Sequence, residues 1–183
     1  MEDAKNLDEI IRSSFAEFSE KYKVNFEKKI AFQERYSINP WFGKEDTIKV
    51  KFGGILENYF RNQETNYSVC SEIKIDSKKD LTIHQINGTL WTTHNDIYNS
   101  LRAVIEIKYA CYHKTNNAIF LKGLDLDIIK LCSLKSNIKK YLLIFDEGCK
   151  LGKKVIEQTK EKAKKNEIKI LSNNPQLMEK IIQ

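Results

Sequence analysis

The chain is poor in the residues that punctuate or staple unusual folds. Its 183 residues include 2 prolines and 7 glycines, which excludes collagen-like and Pro-rich low-complexity classes. Four cysteines, Cys70, Cys111, Cys132 and Cys149, stand at long irregular gaps with no C-x-x-C. Zinc spacing and a disulfide framework are not expected; reduced, mostly buried thiols in a cytoplasmic protein are. The 3 histidines are scattered. Even the apolar run Leu142–Phe145 falls far short of the roughly 20 residues that cross a bilayer. The acidic start MEDAKNLDEI has no apolar segment of the secretory kind. There is no P-loop, no G-x-G-x-x-G and no G-x-S-x-G.

The chain is 41% hydrophobic and 31% charged, enough apolar material for one packed domain. Lys and Arg number 31 against 25 Asp and Glu, a net charge of +6. That excess permits a polyanionic partner without demanding one. Residues 135–169 concentrate it, with eleven lysines against five acids.

Periodicity divides the chain. Leu7, Ile10, Ile11, Phe15, Phe18 and Tyr22 recur at helical spacing, and a short helix is expected over 26–36. Asn39-Pro40 interrupts. A helix over 48–61 carries the stripe Ile48, Phe52, Ile55, Leu56, Tyr59 and Phe60, weakened by Gly53-Gly54. From Tyr67 the period becomes two, predicting a strand to about Ile75, a polar turn, a second strand over 80–86, and a turn at Asn87-Gly88. Residues 89–100 read as a loop, with Trp91 closing a local apolar patch. Residues 101–112 read as a third strand, 123–134 as a helix with Asp125 and Asp127 near its start, and 141–145 as a central parallel strand. A Lys-rich helix over 151–165, an edge strand over 168–171 and a tail helix after Pro175 complete the order. The expected architecture is a mixed α/β sheet flanked by helices. Residues 1–45 form a helical extension packed on a core of residues 46–183.

Glu106-Ile107-Lys108 carries the chemistry. Residues i and i+2 share a strand face, so a carboxylate and an ammonium project together from a largely apolar strand. Such charges are costly to bury unless paired or used. If the preceding strand pairs with this one, Asp80 approaches Glu106. Two converging carboxylates suit Mg²⁺, with Mn²⁺ as a substitute. Their mutual repulsion makes one hold its proton more tightly and keeps Lys108 charged.

Asp80 followed by an apolar strand, a turn and Glu106-x-Lys108 resembles the PD-(D/E)XK nuclease superfamily. The order helix, three-strand meander, helix, strand resembles that core over roughly residues 48–145. Lys79 stands where the pattern has Pro, and 26 positions separate Asp80 from Glu106. The resemblance implies a restriction-endonuclease-like fold: a three-strand antiparallel meander, then a crossover helix and a parallel strand. It also implies a Mg²⁺-dependent phosphodiesterase acting on nucleic acid, with DNA as the expected substrate. Asp80 and Glu106 would bind the metal, Lys108 would assist the attacking water, and Glu57 would be the matching helix glutamate. A homodimer is implied by analogy. Lys139, Lys140, Lys153, Lys154 and Arg102 are the candidate phosphate contacts. The alternative is a catalytically inactive nuclease-like module that binds nucleic acid or protein. A second E-x-K, Glu72-Ile73-Lys74, ranks below the first because no strand with an Asp precedes it. His84 is expected to be a core or surface residue, and Asp125 and Asp127 to cap a helix start.

Overall fold

A computed structural model describes residues 7–21, 45–74, 77–86, 93–110, 116–146, 149 and 151–178. The expected helix over 26–36, Tyr22, the Asn87-Gly88 turn, Trp91, Cys111 and the end of the tail lie outside them. The described part of the tail after Pro175 is a turn.

Helix α1 spans residues 7–21 and α2 spans Glu45–Asn62. Strands β1 (Tyr67–Ser71) and β2 (Leu81–Gln85) follow, then α3 (His94–Ser100) and β3 (Leu101–Ala110). After them come α4 (Asn117–Cys132), β4 (Lys139–Asp146), α5 (Lys153–Lys165) and β5 (Lys169–Ser172). The five strands form one sheet in the order β1-β2-β3-β4-β5. β1, β2 and β3 make an antiparallel meander. β4 runs parallel to β3, and β5 parallel to β4.

Side-chain alternation along β3 and β4 builds two cores. Ala103, Ile105, Ile107, Tyr141, Leu143 and Phe145 face one way, against α1 and α2. Val104, Ala110, Leu142 and Ile144 face the other way, against α4 and α5. Both faces of these strands are therefore covered, which is why Tyr141–Phe145 is apolar throughout. The first core takes Leu7, Ile10, Ile11, Phe15 and Phe18 from α1 and Ile48, Phe52, Leu56 and Phe60 from α2. The N-terminal helix is thus part of the hydrophobic core. Each fully buried Leu, Ile or Phe contributes about 1.5–3 kcal/mol. Gly53 lies inside α2 where it packs against β2, and a Cβ there would stand 3.4 Å from Leu81 Cδ2.

Several expectations are corrected. The region expected as a loop contains α3, started by a capping box in which Thr93 and Asp96 bond reciprocally. α4 begins at Asn117, capped by the Asn116 side chain on the amides of Ala118 and Ile119. Asp125 and Asp127 therefore lie in its interior and cap nothing. β1 ends at Ser71, where Glu72 takes φ 59° and ends the extended backbone. Cys132 and Cys149 are exposed and Cys70 is half-buried, against the expectation of buried thiols. No helix among the described residues is long and apolar enough to cross a membrane.

Candidate functional site

The site forms where β2 stops running beside β3. The register pairs Leu81 with Ile105, and Asp80, one residue before β2, continues the antiparallel run opposite Glu106. Beyond that point β3 continues to Ala110 without β2, leaving two inward amides to be satisfied otherwise. Carboxylates do so. Asp80 Oδ2 accepts from the Ile107 amide at 2.8 Å, and Glu45 Oε1 accepts from the Tyr109 amide at 3.3 Å. The geometry that exposes a strand edge also draws acids to it.

Glu106 is fully buried. Its Oε2 accepts from the Lys130 ammonium at 3.2 Å, while its Oε1 is buried with no hydrogen-bond partner among the described residues. Burial, then the charge of Asp80, pushes its carboxyl up to about 7, against the pull of Lys130. Glu106 therefore holds its proton more tightly than an ordinary carboxyl does.

Lys108 lies 16% exposed between two acids. Its Nζ stands 2.8 Å from Asp127 Oδ2 and 3.4 Å from Glu45 Oε1. Burial alone would lower its pKa, but Asp127 and then Glu45 outweigh it, and the group stays charged with its pKa raised. Lys130, from the same helix as Asp127, donates to Asp127 Oδ1 at 3.0 Å as well as to Glu106. On the other flank Lys49 of α2 pairs with Asp80 at 3.3 Å and with Glu72 at 3.0 Å. Next to Asp80 the buried Lys79 donates to the Lys130 carbonyl at 2.8 Å and to Ser77 Oγ at 2.9 Å. The β1–β2 connection is thereby tied to α4.

The structure brings together Asp80, Glu106 and Lys108. It does not bring Glu57 to them: Glu57 Oε2 accepts instead from the Val69 amide on the edge strand β1, at 2.9 Å. The helix glutamate at the site is Glu45, three turns earlier in α2. The apolar stripe puts the helix start at 48 and so leaves Glu45 out. The signal was available in the acidic pair Glu45-Asp46, which suits a helix N-terminus. Asp127 and Lys130 were missed for a different reason. Helical spacing marks i and i+3 as neighbours, but only packing against β3 shows that their face looks onto Glu106 and Lys108. Glu72 of the second E-x-K is taken by Lys49 and Lys78.

The basic candidates separate by position. Lys139 and Lys140 register with Ala103 and Val104, about 10 Å and about 7 Å back along the strands from the Glu106 level. Lys139 is paired with Asp8 at 2.7 Å. Arg102 at the start of β3 donates to Gln85 Oε1 and to the carbonyls of Asn99 and Leu101. These three are not at the site. Lys153 and Lys154 open α5, just after the end of β4 that lies beside Lys108, and both are exposed. Among the described residues Lys153 has only the distant Glu157, at 3.9 Å.

No protein-family model, curated protein or solved structure matches this chain.

Proposed function

We propose that this protein is a metal-dependent nuclease of restriction-endonuclease-like fold that hydrolyses phosphodiester bonds in DNA. The observation that carries the reading is the buried, unpartnered Oε1 of Glu106 beside a second carboxylate, Asp80, where β2 ends. The mixed sheet of an antiparallel meander followed by a parallel strand, with a helix between, is in keeping with it.

A carboxylate oxygen buried without a donor, on an acid whose negative form is disfavoured by burial and by a neighbouring acid, suits a hard divalent cation. Among the described residues no group of three or more His, Cys, Asp or Glu is gathered for a metal. Mg²⁺ does not need one, since it keeps several waters and takes oxygens from substrate phosphate. Asp80 and Glu106 would hold it, and Mn²⁺ would substitute. When bound, the ion supplies polarisation of a phosphoryl oxygen and a lowered pKa for bound water. Lys108, kept charged, offsets negative charge growing on phosphorus and orients the attacking water. Lys153 and Lys154 contact backbone phosphates without reading sequence. A second copy of the chain would serve the opposite strand of a duplex.

One observation favours a second reading, a nuclease-like module that binds without cleaving. Both acids already have ammonium partners, Lys130 for Glu106 and Lys49 for Asp80. A cleavage assay separates the two. Supercoiled plasmid, linear duplex, single-stranded DNA and RNA are incubated with Mg²⁺, Mn²⁺ or EDTA, alongside Lys108→Ala and Asp80→Asn. Metal-dependent cleavage that falls at least about 100-fold in both folded variants is expected. An intact wild type that cuts nothing and binds no Mn²⁺ by calorimetry would sink the nuclease reading and leave the binding module.

A further inference from the structure

We propose that Asp127 is the positioning residue for Lys108, holding its ammonium in place from α4. This rests on the nuclease reading above and assigns a role that the E-x-K pattern does not contain.

A lysine reaches its target through a flexible four-carbon stem, so a strand position alone does not fix its head. Here α4 supplies the fixing surface. A Cβ on Gly123 would stand 3.3 Å from Lys108 Nζ, 3.5 Å from Cε and 4.0 Å from Cδ. The stem therefore passes close along α4 at Gly123. Glycine inside a helix costs up to about 1 kcal/mol against alanine, and this close passage gives its presence a reason. Four residues on, on the same helix face, Asp127 meets the ammonium at 2.8 Å. Asp127 is itself buried, at 4% exposure, where an unpaired carboxylate would be strongly disfavoured. Its other oxygen faces Lys130, which continues to Glu106. A single helix thus orients both members of Glu106-x-Lys108 through one carboxylate. Glu45, more exposed and at 3.4 Å, is the weaker second anchor. Asp127 does not touch the reacting atoms, and its effect passes through Lys108.

The test uses the full chain as Asp127→Asn, Asp127→Glu and Gly123→Ala. Steady-state cleavage with Mn²⁺, Mn²⁺ calorimetry, and ¹³C relaxation of the Lys108 side chain without metal are measured on each. Asp127→Asn is expected to lower kcat by about 10- to 100-fold, as loss of an orienting partner does, with KM and Mn²⁺ affinity little changed. The Lys108 side chain becomes mobile, and Asp127→Glu recovers part of kcat. Gly123→Ala, which crowds the stem while favouring the helix, lowers kcat with the charges intact. It decides the matter if Asp127→Asn fails to fold. Unchanged kcat and an immobile Lys108 in an otherwise active protein overturn this role alone. Loss of Mn²⁺ binding in Asp127→Asn also overturns it, since Asp127 would then be a ligand. A wild type without phosphodiesterase activity overturns the nuclease reading, and this role with it.

Discussion

Two buried residues of the sheet titrate in opposite senses. His84 is fully buried, its ring nitrogens each 2.9 Å from a hydroxyl, of Ser100 and of Thr82. Burial, helped by the charge of Arg102, holds it neutral and lowers its pKa from 6.5 to about 4. Between those values the unfolded chain binds a proton that the fold refuses. Its contribution is complete above pH 6.5 and is lost as pH falls through about 4. Glu106 does the reverse: its folded value of about 7 exceeds the ordinary 4.5. Its contribution is complete below pH 4.5 and is lost as pH rises through about 7. Each span corresponds to about 3 kcal/mol, so the two largely offset one another. In urea denaturation with EDTA, Glu106→Gln should therefore leave a protein that weakens on acidification from pH 7 to 4.5. His84→Asn should leave one that strengthens over the same range. Parallel slopes in the two variants would contradict these environments.

At the scale of elements, α4 matters most, because it covers one sheet face and delivers Asp127 and Lys130 to the site. Its start depends on Asn116, whose side chain accepts from Ala118 at 2.9 Å and Ile119 at 3.3 Å. Asn116→Ala should cost about 1 kcal/mol in urea denaturation, with hydrogen exchange rising first in residues 117–120. An unchanged midpoint would mean that packing of Phe120 and Leu124 alone sets the helix start. The capping box of α3 was likewise present in the sequence, as Thr93 and Asp96 three apart. The polar composition of residues 89–100 hid it, because a seven-residue helix carries too little apolar periodicity to announce itself.

For the molecule as a whole, the question is how the N-terminal helix is held to the far layer of strands. Apolar packing supplies most of it, and one polar anchor adds specificity. Asp8 on α1 accepts from Lys139 of β4 and Lys169 of β5, each at 2.7 Å, and from the Tyr141 hydroxyl. Burial would raise the Asp8 pKa, but the hydrogen bonds from Lys139, Lys169 and Tyr141 prevail and lower it to about 2. Its contribution is present above about pH 3.8 and is lost as pH falls through about 2. Asp8→Ala should destabilise the protein by on the order of 2 kcal/mol at pH 7, through loss of the carboxylate acceptor shared by three donors. The gap from wild type, read by urea denaturation, should narrow at pH 2. A gap that persists there would assign the loss to packing instead.

Most of the local order, α3 excepted, is legible in neighbouring residues: which stretches are helix or strand, and that β4 is buried on both faces. Periods of 3.6 and two are short-range consequences of which face meets the core, so they are written in neighbouring residues. The sequence also marked Glu106 and Lys108 as misfits in an apolar strand, and Asp80 as their partner across the meander. Which other charges join them is set by long-range packing. Glu45, Lys49, Asp127 and Lys130 come from helices on opposite faces of the sheet, separated from β3 by long stretches of chain. Their meeting depends on helix phase and on where β2 ends beside β3. Glu57 illustrates the limit: its residue type suited the site, but the rotation of α2 turned it toward an edge amide and gave Glu45 the place instead.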